Sequence, residues 1–239
     1  LTPLTQIITE DEAGTIDKYE GDAIIAFWNA PIDQPDHANR AVRAALNCQR
    51  RQSELATAFN EISGDPVSIR TRIGLNTGKV SVGNFGSEKR FDYTALGDHM
   101  NLAARMESAN KQFGTYTMIS ENTLRKLDPD SAPREMGFVG VVGEVAVREL
   151  GRLVFKGKLE PVTVFEAMTP EELAARRGVM DAYSSALRLY YNARFAEALE
   201  AFRAIKADDP AAAKYAEACV PLAANPPTSW DGRMTLEAK

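Results

Sequence analysis

The sequence has 239 residues, with 28 Lys plus Arg against 33 Asp plus Glu, so it carries a net charge of −5 with both histidines neutral. That balance excludes a strongly basic nucleic-acid module, while 44% apolar residues with 16 Gly and 12 Pro exclude a collagen-like or globally disordered chain. No run approaches the roughly 18 consecutive apolar residues of a membrane span, and the opening LTPLTQIITEDEAG lacks the basic start and apolar centre of a secretory signal.

The chain opens inside a periodic segment, Leu4, Ile7 and Ile8 before Gly14, and without a methionine, so Leu1 reads as an internal residue rather than a natural start. TIDKY and DAIIAFW, separated by the Glu20-Gly21 pair, predict a hairpin. Asp36 takes an N-cap position before a long helix whose stripe is Ala38, Val42, Ala45, Leu46, Leu55, Phe59 and Ile62. The cluster Ser63-Gly64-Asp65-Pro66 stops it. Alternation from Val67 through Ile69 and Ile73 to Leu75 predicts a half-buried strand. The Gly-rich passage NTGKVSVGNFGSEKR, with a returning strand Phe91 to Ala95, predicts a second hairpin with a mobile tip.

Gly97-Asp98 opens a helix with Leu102, Met106, Ala109 and Phe113 on one face, closed by Gly114. A strand from Tyr116 to Ile119 leads to Ser120, which caps the helix SENTLRKL. Three more β-type stretches follow, Val139 to Val147, Leu150 to Phe155 and Pro161 to Phe165. Repeated hairpins among helices predict an α+β fold with a mainly antiparallel sheet rather than a doubly wound one.

Composition changes near Thr169-Pro170, dividing the chain into residues 1–168 and a helical appendage with an extended tail, 169–239, in which no β-type run is found. Within it Ala186, Leu189, Ala198, Phe202 and Pro210 match one copy of the roughly 34-residue helical hairpin repeat, so the appendage reads as TPR-like, packed on the main part or on a second copy. Trp230 is the only anchor expected of the tail. Cys48 and Cys219, each in a helical pattern, argue against a disulfide framework and for a reducing, cytoplasmic setting.

Three islands carry chemistry: Gly14 to Trp28 with DKYEGDAIIAFW, Gly83-Asn84 through Asp92-Tyr93-Thr94, and Gly97-Asp98-His99-Met100-Asn101-Leu102-Ala103-Ala104-Arg105. Together they resemble the catalytic domain of class III nucleotidyl cyclases, bacterial adenylate cyclases in particular, over residues 1–168. The resemblance implies a ferredoxin-like domain that converts ATP to 3′,5′-cyclic AMP and pyrophosphate at sites shared by a homodimer, with two Mg²⁺ or Mn²⁺ ions per site. It implies neither a nucleic-acid partner nor membrane contact from these residues.

By the same resemblance, Asp22 is a metal ligand, and a carboxylate beside a hairpin glycine suits a hard divalent cation. Lys18 and Thr94 read the adenine ring, where guanylate cyclases carry Glu and a small residue such as Cys or Ser. Asn101 orients the ribose and Arg105 meets charge on the α-phosphate. The two are four apart and share a helix face, and the Arg fork suits such oxygens. Lys156 of Phe155-Lys156-Gly157-Lys158 contacts the terminal phosphates. Alternation along the strands would turn Lys18 and Asp22 to opposite sides of the hairpin. The glycines Gly78, Gly83 and Gly86 form no phosphate loop and are read as turn formers and points of close approach between subunits; His37 and His99 receive no role.

The sequence departs from the family in two respects, one being that residues 137–151 (GFVGVVGEVAVRELG) are longer and richer in Gly and Val before the Lys-Gly-Lys turn. The family's first metal-binding strand, an apolar run ending in Phe-x-Asp-Ile, would lie upstream of Leu1, so the chain reads as truncated at its N terminus. Alternatives of other kinds are a guanylate cyclase, a cyclase-like dimerisation or nucleotide-binding regulator without turnover, and a scaffold whose function lies in the helical tail.

Overall fold

The computed structural model describes residues 1–63, 68–87, 90–130 and 135–236. Helix α1 (Thr2–Gln6) widens into a π-turn over Ile7–Asp11 before the first hairpin, β1 (Thr15–Glu20) and β2 (Ala23–Phe27). Then come α2 (His37–Ser63), β3 (Ile73–Leu75), the hairpin β4 (Ser81–Ser87) and β5 (Arg90–Leu96), α3 (Asp98–Phe113), β6 (Thr117–Ser120) and α4 (Glu121–Leu127). Strands β7 (Val139–Val142), β8 (Val145–Val154) and β9 (Val162–Met168) precede helices α5 (Pro170–Tyr191), α6 (Phe195–Ile205) and α7 (Pro210–Ala224), and the chain ends on β10 (Arg233–Thr235).

Six strands form the main sheet, in the order β10-β8-β9-β6-β3 with β7 also on β8; the two hairpins stand as separate ribbons. Five of the seven pairings among the described residues are antiparallel, and only β3 with β6 and β10 with β8 run parallel. The α+β class with a mainly antiparallel sheet is therefore as the sequence predicts. No helix among the described residues is long and apolar enough to cross a membrane.

Local chemistry sets the element ends. The Ser120 hydroxyl accepts from the Thr123 amide at 3.3 Å. Thr169 and Glu172 form a reciprocal capping box at the start of α5. Gly114, at φ +64, ends α3 where Pro210 leaves no room for a side chain. One core joins Leu102, Met106 and Phe113 of α3 to Tyr183, Phe202 and Tyr215 of the last three helices. A second lies under α2 and α4, around Val42, Leu124 and Phe165.

Four readings need correction. The first hairpin turns at Gly21-Asp22 rather than Glu20-Gly21, because Gly21 takes φ +62 at the first loop position, and Glu20 pairs with Ala23. Asp22 thus sits in the turn, where strand alternation does not apply. The third strand is only Ile73–Leu75; Ser68 to Arg72 have no ladder partner, and Val67 lies outside the described residues, as does the tip of the second hairpin at 88–89. The α2 stripe is buried at Ala38, Val42 and Ala45, but Leu55, Phe59 and Ile62 are exposed: beyond Gln52, which bonds to Thr71, Ala56 alone among the described residues of this helix is buried. The tail contains a strand after all, since Met234 has a pocket in the core and β8 has a free edge to pair with.

Candidate active site

Helix α3 sits against β3 with no side chain between them. A Cβ on Gly74 would come within 2.2 Å of the Ala103 carbonyl oxygen, so only glycine permits that approach. The helix start is fixed by Asn76, whose Nδ2 donates to the His99 carbonyl at 3.1 Å and lies 3.2 Å from His99 Nδ1. Gly78 makes room for that imidazole, its missing Cβ falling 2.2 Å from His99 Cγ. Its close approach is to a side chain of the same subunit.

With Leu102, Met106 and Ala109 buried, α3 turns Asn101 outward and leaves Arg105 half-buried. Arg105 Nη1 is buried without a hydrogen-bond partner. An unpaired buried donor is costly, about 1–3 kcal/mol, and an oxyanion would satisfy it. Next to it runs the turn after β8, where the Lys158 amide donates to the Phe155 carbonyl at 2.9 Å. Gly157 takes φ +74, and a Cβ there would stand 3.6 Å from Arg105 Nη2. Lys158 Nζ pairs with Asp98, the first residue of α3, and that contact holds the Asp98 carboxyl below the usual carboxylate range. The exposed Lys156 is thereby carried to the same end of the sheet as Arg105 and Asn101.

The base-reading candidates lie on the hairpins. Thr94 on β5 is 7% exposed, and its Oγ1 is buried without a partner. It pairs across the ladder with Gly83, where a side chain would meet nothing nearer than Phe85 Cε2 at 3.8 Å. Lys18 on β1 is exposed and follows a bulge at Asp17; its Nζ lies 3.8 Å from Asp17 Oδ2. Strands β1 and β5 are neighbours, and the ring of Phe27 at the end of β2 lies 6.1 Å from that of Tyr93 on β5. Among the described residues no hydrogen bond or ion pair joins Lys18, Asp22 or Thr94 to Asn101, Arg105 or Lys156.

Asp22 stands exposed in its turn, and among the described residues no group of three or more His, Cys, Asp or Glu side chains gathers that could hold a metal ion. One exposed carboxylate is a partial ligand set for Mg²⁺, which keeps several waters and takes one or two carboxylates together with substrate phosphates.

Sequence reasoning missed Asp17, whose side chain is 3% exposed with Oδ1 unpartnered, and the Lys158–Asp98 pair. Asp17 could have been found only by its bulge, which no pattern announces. Lys158 and Asp98 lie within three positions of Lys156 and Asn101 respectively, but 60 positions from each other.

A family model described as the adenylate and guanylate cyclase catalytic domain matches residues 3–165. The chain belongs to that family of nucleotide cyclases, whose members generally use divalent metals. It is 35% identical over 156 residues to Adenylate cyclase 1 of Rhizobium meliloti, covering 65% of this chain and 23% of that protein. Among solved structures it is similar to the adenylyl cyclase CyaB from P. aeruginosa, with a TM-score of 0.57, 27% identity, and coverage of 70% of this chain and 77% of that one. It is also similar to the guanylate cyclase domain of RhGC from Catenaria anguillulae in complex with GTP, with a TM-score of 0.54, 26% identity, and coverage of 70% and 79%. The chain spans less than a third of the length of the curated relatives it matches.

Proposed function

We propose that this chain is the catalytic part of an adenylate cyclase acting in the cytoplasm as a homodimer. The observation that carries it is the turn holding Lys156, whose Gly157 lies against the half-buried Arg105 with its unpartnered Nη1. Such a cluster suits a triphosphate, whose oxygens accept from an Arg fork and from lysine. Lys18 and the orphaned Thr94 hydroxyl support adenine over guanine, since a donor or acceptor left unmatched in a closed pocket is costly.

In this reading the ribose 3′-oxygen attacks the α-phosphorus in line. The O3′–P bond forms, the bond from phosphorus to the bridging oxygen breaks, and pyrophosphate leaves while the hydroxyl proton passes to solvent. Asn101 holds the ribose, Arg105 meets negative charge growing at the α-phosphate, and Lys156 meets the departing phosphates. Asp22 offers one carboxylate to a Mg²⁺ or Mn²⁺ ion. Such an ion, when bound, would lower the pKa of the attacking hydroxyl and offset charge on the leaving phosphates.

Asp22 and the Lys18, Thr94, Asn101 and Arg105 set serve different nucleotides in this scheme, so each site needs two chains. The exposed apolar side chains of the second hairpin, Phe85, Phe91 and Leu96, support a partner there. Residues 169–239 are read as a TPR-like helical unit following the cyclase part, 1–168.

The test is turnover of ATP by the full-length protein with Mg²⁺ or Mn²⁺, followed as cyclic AMP and pyrophosphate. Arg105→Ala should lower kcat by about 10²–10³-fold. No cyclic nucleotide from folded, metal-supplied dimer overturns the reading, and cyclic GMP alone transfers it to guanylate cyclase.

A further inference from the structure

The C-terminal segment touches both elements that carry the phosphate-side residues. Strand β9 occupies one edge of β8 along nearly its whole length, so β7 and β10 must share the other. β7 covers Val145 to Arg148, and β10 covers Arg152 to Val154 in the register Arg233↔Arg152, Met234↔Leu153 and Thr235↔Val154. The Leu236 amide then donates to the Val154 carbonyl at 3.1 Å, two residues before Lys156.

β10 is itself anchored. Trp230 Nε1 donates to the Tyr190 carbonyl at 2.8 Å, its ring stands edge-on to Tyr190 and Phe195 at 5.0 Å, and the Tyr190 hydroxyl donates to the Arg233 carbonyl at 3.1 Å. Midway along β8 the helices hold its bulge. The Tyr183 hydroxyl donates to the Leu150 carbonyl at 2.8 Å, and a Cβ on Gly151 would come 1.8 Å from the Tyr215 hydroxyl. Tyr215 also lies 6.4 Å, ring to ring, from Phe113 of α3.

We infer that the C-terminal helices and β10 are a positioning element for the active site, fixing where β8 ends and hence where Lys156 stands relative to Arg105. The inference rests on the cyclase reading above. Without β10, Arg152 to Val154 would be a strand end bonded on one edge only, and such ends fray. The loop that follows would wander by ångströms, and a misplacement of about 1 Å is enough to cost roughly 10²-fold in rate.

The experiment uses the full-length protein carrying Met234→Asp, which puts a charge into the pocket that seats β10. Trp230→Ala, which loosens the anchor and leaves β10 unchanged, serves if the first variant does not fold. Hydrogen exchange of the peptide spanning Arg152 to Lys158 should quicken roughly tenfold while α2 is unaffected. KM for ATP should rise roughly tenfold, and in a Lys156→Ala background the same tail variant should add little further loss, because both act through one contact. Unchanged exchange in the Arg152–Lys158 peptide, or losses that simply add, would overturn the inference. A wild-type protein without turnover would instead sink the cyclase reading, and the exchange result would still decide the coupling of tail to loop.

Discussion

Arg148 on β8 and Asp209 at the start of α7 form an ion pair removed from solvent, with side chains 1% and 0% exposed and Nη2 3.0 Å from Oδ1. Glu166 on β9 takes the Arg148 Nε at 2.6 Å, and the guanidinium lies 4.8 Å above the Tyr183 ring. Burial alone would lower the Arg148 pKa, but its two carboxylate partners carry it above the ordinary value. Asp209 also accepts from the Ala211 amide at 3.2 Å, so one residue caps α7 and docks it on the sheet. Asp209→Ala should therefore destabilise the protein by about 3–5 kcal/mol, because it leaves a buried charge short of a partner. Urea unfolding at unchanged m-value checks this. The triple change Arg148→Met, Glu166→Gln and Asp209→Asn should recover most of the loss, as it removes all three buried charges together and keeps a side-chain acceptor at the start of α7.

Gly157 and Gly143 separate a local active-site effect from a backbone cost. Both hold positive φ, +74 and +60, and a Cβ at either meets no atom closer than 3.6 Å. Alanine at either should cost about 1–2 kcal/mol through the left-handed backbone. Only Gly157→Ala reshapes the turn against Arg105. It should lower cyclase turnover by about tenfold or more, with Gly143→Ala near wild type and the two melting alike. Equal activities would mean that the Lys156 turn does not bear on the reaction.

Base choice is read at two positions. Lys18→Glu with Thr94→Cys replaces the proposed adenine pair by the types seen in guanylate cyclases. The double variant should move the ratio of kcat/KM for GTP over ATP upward by at least about 10²-fold, as a matched hydrogen-bonding edge allows. Competition assays with both nucleotides give that ratio directly. If the preference stays put, Lys18 and Thr94 are not the base readers.

Much of this architecture is legible in the sequence, for physical reasons that differ along the chain. The face of α3 could be read because Leu102, Met106, Ala109 and Phe113 recur at helical spacing and are all buried. Ser120 could be read because an N-cap needs that side chain at that place. β10 could not: three residues, Arg233 to Thr235, carry no period, and they become a strand only because β8 offers an edge. The exposed half of the α2 stripe misled for the opposite reason, since periodicity reports a face but not whether anything covers it. Among the candidate site residues, spacing shows only that Asn101 and Arg105 share a helix face, and their roles come from the family resemblance. The approach of Gly157 to Arg105 depends on tertiary contacts between distant segments, which local pattern does not encode.

The two cysteines give a pH test with a defined sign. Cys219 on α7 and Cys48 on α2 are 0% and 5% exposed, and neither is in a disulfide. Burial pushes the Cys219 thiol up to about 12 and the Cys48 thiol up to about 11, against an ordinary value of 9.0. Because the thiolate is the reacting form, less than about 1% of either is reactive at pH 8 in the folded protein. Iodoacetamide at pH 8 should leave both unlabelled in the native state and modify both in denaturant. The same shifts bear on stability. Folding favours the neutral thiol, so this contribution is fully present below pH 9, where thiols in the unfolded chain begin to ionise. It is lost as pH rises through about 11 and then 12. Melting temperature should accordingly fall across that window more in the wild type than in Cys48→Ala/Cys219→Ala. Rapid labelling of folded protein at pH 8 would show that these helices open far more readily than their burial implies.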